Sequence, residues 1–172
     1  MEYTSNSQRA RVFSELWVAK NAYCLACTNE SLKPTPANTK ARDFECDCCG
    51  HPYELKSSLR PFQRMVVDGA YRAMTERIED GTVASFLLLP YDQHAAVTHL
   101  TAIHRSFITP EVIEARSPLS VFARRAGWVG CNLFTAVAAG GRAAFAVGSR
   151  GRVGHRSKSR FPSGVTTKGG RG

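Results

Sequence analysis

Four cysteines occur as two pairs, Cys24-x2-Cys27 and Cys46-x2-Cys49, with eighteen residues between them. Pairs at that separation can close a tetrahedral zinc site, and a site filled by four protein thiolates is structural because it leaves no open coordination position. Cys48 and His51 lie close enough to replace one of the four, so the ligand set stays open on sequence grounds. Threaded through the same stretch is a second group, Asp43 followed by Glu54-Leu55-Lys56. On a strand, Glu54 and Lys56 project from one face and Leu55 from the other, and an Asp43 on the partner strand would let two carboxylates converge on one hard cation. Magnesium suits such a pair, because it takes few carboxylates and keeps waters, leaving room for a phosphate oxygen and an attacking water. Lys56 would orient that water or stabilise the charge that develops. The competing reading is a solvated Glu-x-Lys ion pair on a surface strand; a zinc-pinned hairpin favours the chemical one by fixing the strand register.

The elements that must hold these groups follow from periodicity. Ser5-Asn6-Ser7-Gln8 fits a capping box, and Ala10, Phe13 and Trp17, widened by Val12 and Leu16, predict a helix over residues 6–19. Asp43-Phe44-Glu45 and Tyr53-Glu54-Leu55-Lys56 alternate like strands on either side of a turn at 46–51, a hairpin with a zinc knuckle at its tip. Val67, Ala70, Tyr71, Met74 and Ile78 predict a second helix over 66–79, although Gly69 costs about 1 kcal/mol against alanine there. The apolar run 84–89, closed by Pro90, reads as a central strand buried on both faces, with 95–103 as its neighbour.

At 172 residues the chain has room for one domain with a sizeable core. The amino terminus lacks a signal-peptide pattern and no segment is apolar enough to span a bilayer, so a cytoplasmic protein is expected, where six cysteines favour metal over disulfides. The net charge of +9 is unevenly placed: 12 Lys and Arg stand against 14 Asp and Glu through Glu114, and 11 basic residues and no acid follow. Nine of the fourteen glycines lie from Gly140 onward. Residues 1–138 are therefore expected to fold, and 139–172 to form a basic, disordered tail. The oligomeric state is open, and a monomer is compatible with everything in the sequence.

Arg124-Arg125-Ala126-Gly127-Trp128 joins two cations to an aromatic, which suits phosphate contacts beside an apolar base contact. A basic turn before a core tryptophan explains the same residues. His94, His99 and His104 recur at a spacing of five, which suits neither helix nor strand, and Cys131 reads as a small buried residue.

Over about three quarters of its length the chain resembles the DpnI family of methyl-directed type II restriction endonucleases. The matching pieces are Ser5-Asn6-Ser7-Gln8 with Ala10-Arg11, Trp17-Val18, Tyr23-Cys24 and Cys27, Asp43-Phe44, Cys46 and Cys49, Glu54-Leu55-Lys56-Ser57, Asp68-Gly69-Ala70-Tyr71, Ser117-Pro118-Leu119, and the run from Ala123 to Asn132. The resemblance implies an α/β restriction-endonuclease-like PD-(D/E)xK core, a mixed sheet flanked by helices, with an inserted four-cysteine zinc knuckle. It implies magnesium-dependent cleavage of duplex DNA at N6-methyladenine-containing GATC. It assigns Asp43 and Glu54 to Mg2+, Lys56 to the water, Cys24, Cys27, Cys46 and Cys49 to Zn2+, and Trp128 to the neighbourhood of the adenine methyl groups. Arg42 stands where the motif name has proline, which removes no ligand. The family's carboxy-terminal winged helix, a second binder of methylated DNA, finds no match, and a shift of reading frame would yield such a Gly- and Arg-rich ending. Sequencing of the parent locus checks that expectation. The rivals are a zinc-dependent methyl-DNA binding module that does not cut, an inactive remnant, and a generic zinc-ribbon protein for RNA or transcription.

Overall fold

The computed structural model describes residues 5–37, 39, 41–135 and 144–148. Helix α1 spans Asn6–Asn21, and the Ser5 hydroxyl caps it by accepting from Gln8 N–H at 3.2 Å. Its buried residues are Ser14 and Val18, with Phe13 and Trp17 packed beside them, while Leu16 is 67 % exposed. The apolar stripe expected to include Leu16 is thus rotated toward Ser14, whose hydroxyl is satisfied by donating to Ala10 O at 2.7 Å.

Strands β1 (Lys33–Pro34), β2 (Phe44–Glu45) and β3 (Pro52–Ser58) form an antiparallel ribbon, with Phe44 opposite Tyr53 and Glu45 opposite Pro52. This is the expected hairpin. Then comes a correction. Residues 66–79 are not one helix: Met65–Ala70 is strand β4 and only Tyr71–Glu79 is helix α2. Val66 and Asp68 are buried while Met65 and Val67 are exposed, a strand's alternation, and the register breaks between Asp68 and Ala70, at Gly69. What overrides the helical spacing is a pairing with β8 (Gly130–Phe134), more than sixty residues away.

Strands β5 (Ser85–Pro90) and β6 (His99–Ile103) match the two expected strands, and Ile113–Ala115 forms β7. Within the stretch 139–172, Ala144–Gly148 makes strand β9 against β6; the rest of it lies outside the described residues. Two sheets result, β1-β2-β3-β5-β6-β9 and β4-β8-β7. The β3–β5 pair is parallel and the other pairs are antiparallel, so the larger sheet is mixed.

All six residues of β5 are buried because each face meets a different core. Leu87 and Leu89 pack with α1, Phe44 and Tyr53, whereas Phe86 and Leu88 pack with Val66, Met74, Cys131 and Leu133 of the second layer. Tyr53 and Leu55 of β3 join the first core, which turns Glu54 and Lys56 toward the second sheet. A continuous apolar run is what such a doubly covered strand needs.

Candidate active site and metal centre

The candidate metal centre is built on the turn between β2 and β3. Gly50 N–H donates to Cys46 O at 2.8 Å and Cys46 N–H to His51 O at 3.0 Å, with Gly50 at φ +68°, where a side chain would be strained. The turn brings Cys46 and Cys49 to Cys24 and Cys27, and the four sulfur atoms lie within 4.8 Å of one another. The Cys24–Cys49 and Cys27–Cys46 separations are 3.6 Å, close to the edge of a tetrahedron with Zn–S bonds of about 2.3 Å. The donor set fits zinc.

Neither alternative ligand belongs to this group. Cys48 is exposed, and His51 turns into the interior, where its Nε2 lies 2.7 Å from Ser85 Oγ and its ring stacks on His104 at 5.0 Å. Around the sulfurs, Asn29 Nδ2 approaches Cys46 Sγ at 3.4 Å. Burial raises the Cys46 thiol pKa, but the donors from Asn29 and the turn outweigh it and hold the thiol at about 6. Tyr53 ties the centre to β3: its hydroxyl donates to Cys24 Sγ at 3.2 Å and accepts from Leu25 N–H at 2.7 Å.

One residue further along β3 the second group begins. Lys56 Nζ sits 2.6 Å from Glu54 Oε1 and 2.6 Å from Asp68 Oδ1. Asp68 comes from β4, so the lysine bridges the two sheets. Its carboxylate is almost wholly buried, and the other oxygen, Oδ2, is buried with no hydrogen-bond partner. Burial works against the Lys56 charge, but the two carboxylates outweigh it and raise its pKa. Burial, reinforced by Asp68 and opposed by Lys56, pushes Glu54 up; in Asp68 the pull of Lys56 overcomes burial and lowers the pKa. Lys56 is therefore an ammonium. Beside it opens a cleft of about 450 Å³ lined by Lys56, Ser57, Phe62 and Val66 among others.

Asp43 is placed by the hairpin register, which, continued one step past Phe44–Tyr53, sets it opposite Glu54. Its Oδ2 accepts from Leu55 N–H at 2.7 Å, so the side chain replaces a ladder bond at the end of β2. Glu54 and Lys56 meet as an ion pair, Asp43 stands opposite Glu54 in the strand register with its carboxylate on Leu55 N–H, and Asp68 joins Lys56 from a segment the spacing did not single out. Its sequence signals were an acid in an otherwise apolar segment and its place in the matching piece Asp68-Gly69-Ala70-Tyr71.

Arg124, Arg125 and Trp128 lie elsewhere, in the connection between β7 and β8. Both arginines are exposed, and the Arg125 guanidinium lies 4.5 Å from the centroid of the half-buried Trp128 ring. Among the described residues, no hydrogen bond or ion pair joins these three to Glu54, Lys56 or Asp68. Likewise, no described helix is long and apolar enough to cross a membrane.

The family model for DpnI, described as the Dam-replacing family, matches residues 1–146, which includes both cysteine pairs, Asp43, Glu54, Lys56 and the arginine loop. The chain belongs to the DpnI, or Dam-replacing, family.

Proposed function

We propose that this protein is a methylation-dependent type II restriction endonuclease that hydrolyses phosphodiesters of duplex DNA at N6-methyladenine-containing GATC. The observation that carries the proposal is the Glu54–Lys56–Asp68 cluster, with Asp43 opposite Glu54 and Lys56 also lining a cleft. Solvated surface ion pairs contribute little and need no such burial. Here two carboxylates and a lysine are held together where leaving one uncompensated would cost about 3–5 kcal/mol.

Asp43 and Glu54 would hold Mg2+, since both offer hard oxygens on one face of the hairpin. When bound, the ion supplies Lewis-acid stabilisation of the phosphate and lowers the pKa of a water. Glu54 would be a ligand of the ion, and Asp68 keeps Lys56 in place. Held as an ammonium, Lys56 donates a hydrogen bond to the attacking water or to the phosphate oxygen on which charge develops. It does not serve as the base. Cys24, Cys27, Cys46 and Cys49 would hold Zn2+, which would pin the hairpin so that Asp43 and Glu54 keep their register. Arg124, Arg125 and Trp128 would meet the DNA backbone and the methylated base.

The test is cleavage of fully methylated, hemimethylated and unmethylated plasmid by purified protein with magnesium at low salt. Selective cutting of the methylated substrate is expected. Intact methylated GATC plasmid overturns the enzyme reading, and binding that survives without cutting leaves the rival of a non-cleaving methyl-DNA module.

A further inference from the structure

Tyr53 is wholly buried in the first core, where it stands opposite Phe44 in the hairpin register and its ring lies 4.9 Å from that of His51. Phenylalanine would fill this apolar space with no polar atom to satisfy, whereas a buried hydroxyl left without partners costs about 1–3 kcal/mol. The Tyr53 hydroxyl is satisfied in both directions, and both partners lie side by side: it donates to Cys24 Sγ at 3.2 Å and accepts from Leu25 N–H at 2.7 Å.

Those partners belong to the turn that carries the first cysteine pair. Within it, Ala26 N–H donates to the same sulfur at 3.3 Å, and Cys24 N–H closes the turn on Asn29 O at 3.0 Å. Cys24 lies outside every described helix and strand, so its sulfur is not fixed by a ladder of its own. The Tyr53 hydroxyl joins it to β3. The second pair is held differently. Cys46 and Cys49 sit on the hairpin's own turn, and the Asn29 amide that reaches Cys46 Sγ at 3.4 Å is shared with Ser31 O and Asp47 Oδ1.

A cysteine that ligates a metal does so as a thiolate. A hydroxyl that donates to an anion makes a charge-assisted bond, about twice as strong as a neutral one, so the Tyr53 bond favours the ligating form of Cys24. The main chain of the same residue meets the other group: Tyr53 C=O accepts from Asp43 N–H at 2.9 Å, and Glu54 is the next residue on the strand. We propose that Tyr53 is a positioning residue of the cysteine centre, whose hydroxyl holds the Cys24 sulfur in ligating geometry and docks the first cysteine pair on the strand that carries Glu54 and Lys56. This inference rests on the reading of the four cysteines as a zinc site and does not depend on nuclease activity.

The experiment measures zinc affinity of the full chain by competition with a chromophoric chelator, in the parent, in Y53F and in S14A. Ser14 is a control, because its buried hydroxyl donates to Ala10 O within α1 and touches none of the four cysteines. Y53F should bind zinc about 10–100-fold more weakly than the parent, and S14A as tightly as the parent. In the cobalt-loaded proteins, the thiolate-to-metal charge-transfer band should shift in Y53F and stay in place in S14A. Wild-type protein loaded with NMR-active cadmium should show a Tyr53 hydroxyl proton coupled to the metal through the Cys24 sulfur, a readout that needs no variant to fold. The assignment is overturned if Y53F binds zinc as tightly as the parent, if S14A loses as much affinity as Y53F, if the cobalt band of Y53F is the parent's, or if the cadmium coupling is missing. Each of those results sinks only the role of Tyr53; a parent chain that binds no zinc sinks the reading of the cysteines itself.

Discussion

The Asp68 carboxylate of one sheet meets the Lys56 ammonium of the other at 2.6 Å, and this ion pair holds the candidate catalytic lysine across the interface between two separately wound layers. A lysine on β3 with Glu54 alone could swing along the cleft. With Asp68 opposite, both its charge and its position are set.

This pair should show strong thermodynamic coupling. Replacing Lys56 by Met strands two carboxylates and should destabilise by about 3–5 kcal/mol, whereas Asp68→Ala leaves Lys56 its Glu54 partner and should cost less. The double variant should lose less than the sum of the two, a coupling that denaturant unfolding of all four proteins measures. Additive losses would mean that the pair is not formed in solution.

Catalysis should fail without unfolding in two conservative variants. Asp43→Asn keeps an oxygen able to accept from Leu55 N–H, and Glu54→Gln keeps an acceptor for Lys56, yet each removes a hard anionic ligand. Cleavage rates should fall by about a hundredfold or more, at near-unchanged melting temperature and zinc content. Activity close to wild type in either variant would remove that residue from the metal site.

One zinc per chain is expected by elemental analysis, and Cys46→Ser should abolish it whereas Cys48→Ser should not, since Cys48 lies outside the sulfur cluster. Loss of the metal should loosen the hairpin and reduce cleavage even with magnesium present. Full zinc occupancy in Cys46→Ser would assign the site to other ligands.

Ser85 is a buried junction: its hydroxyl lies 2.7 Å from His51 Nε2 and accepts from Arg105 N–H at 2.9 Å. Ser85→Ala should cost about 1–3 kcal/mol, because those groups lose their partner in the interior. The same region should set acid sensitivity. Burial, helped by the nearby His104 and Arg105, lowers His51 to about 4, and burial lowers His104 as well. The unfolded chain then binds more protons than the folded one between about pH 6.5 and 4, so stability should fall as pH drops through that window. Thermal melts across it, with His51→Gln as the control, read the effect; a flat profile would contradict it.

The sequence by itself determined what local chemistry and local spacing can encode. The capping of α1, the cysteine pairs, the hairpin that sets Asp43 against Glu54, and the doubly buried run of β5 were all readable, because each depends on neighbours a few residues apart or on total apolarity. What only the tertiary structure decided depends on contacts between distant segments. The stretch from Met65 to Ala70 became a strand because β8 pairs with it, a long-range contact that overrides a helical spacing. Ser14 rather than Leu16 faces the core of α1 for the same kind of reason, since burial is assigned by the partner surface. Asp68 entered the site only when the second sheet carried it to Lys56. Which of six cysteines and a histidine come together was likewise decided in space, where His51 turns to Ser85 and four sulfurs lie within reach of one another.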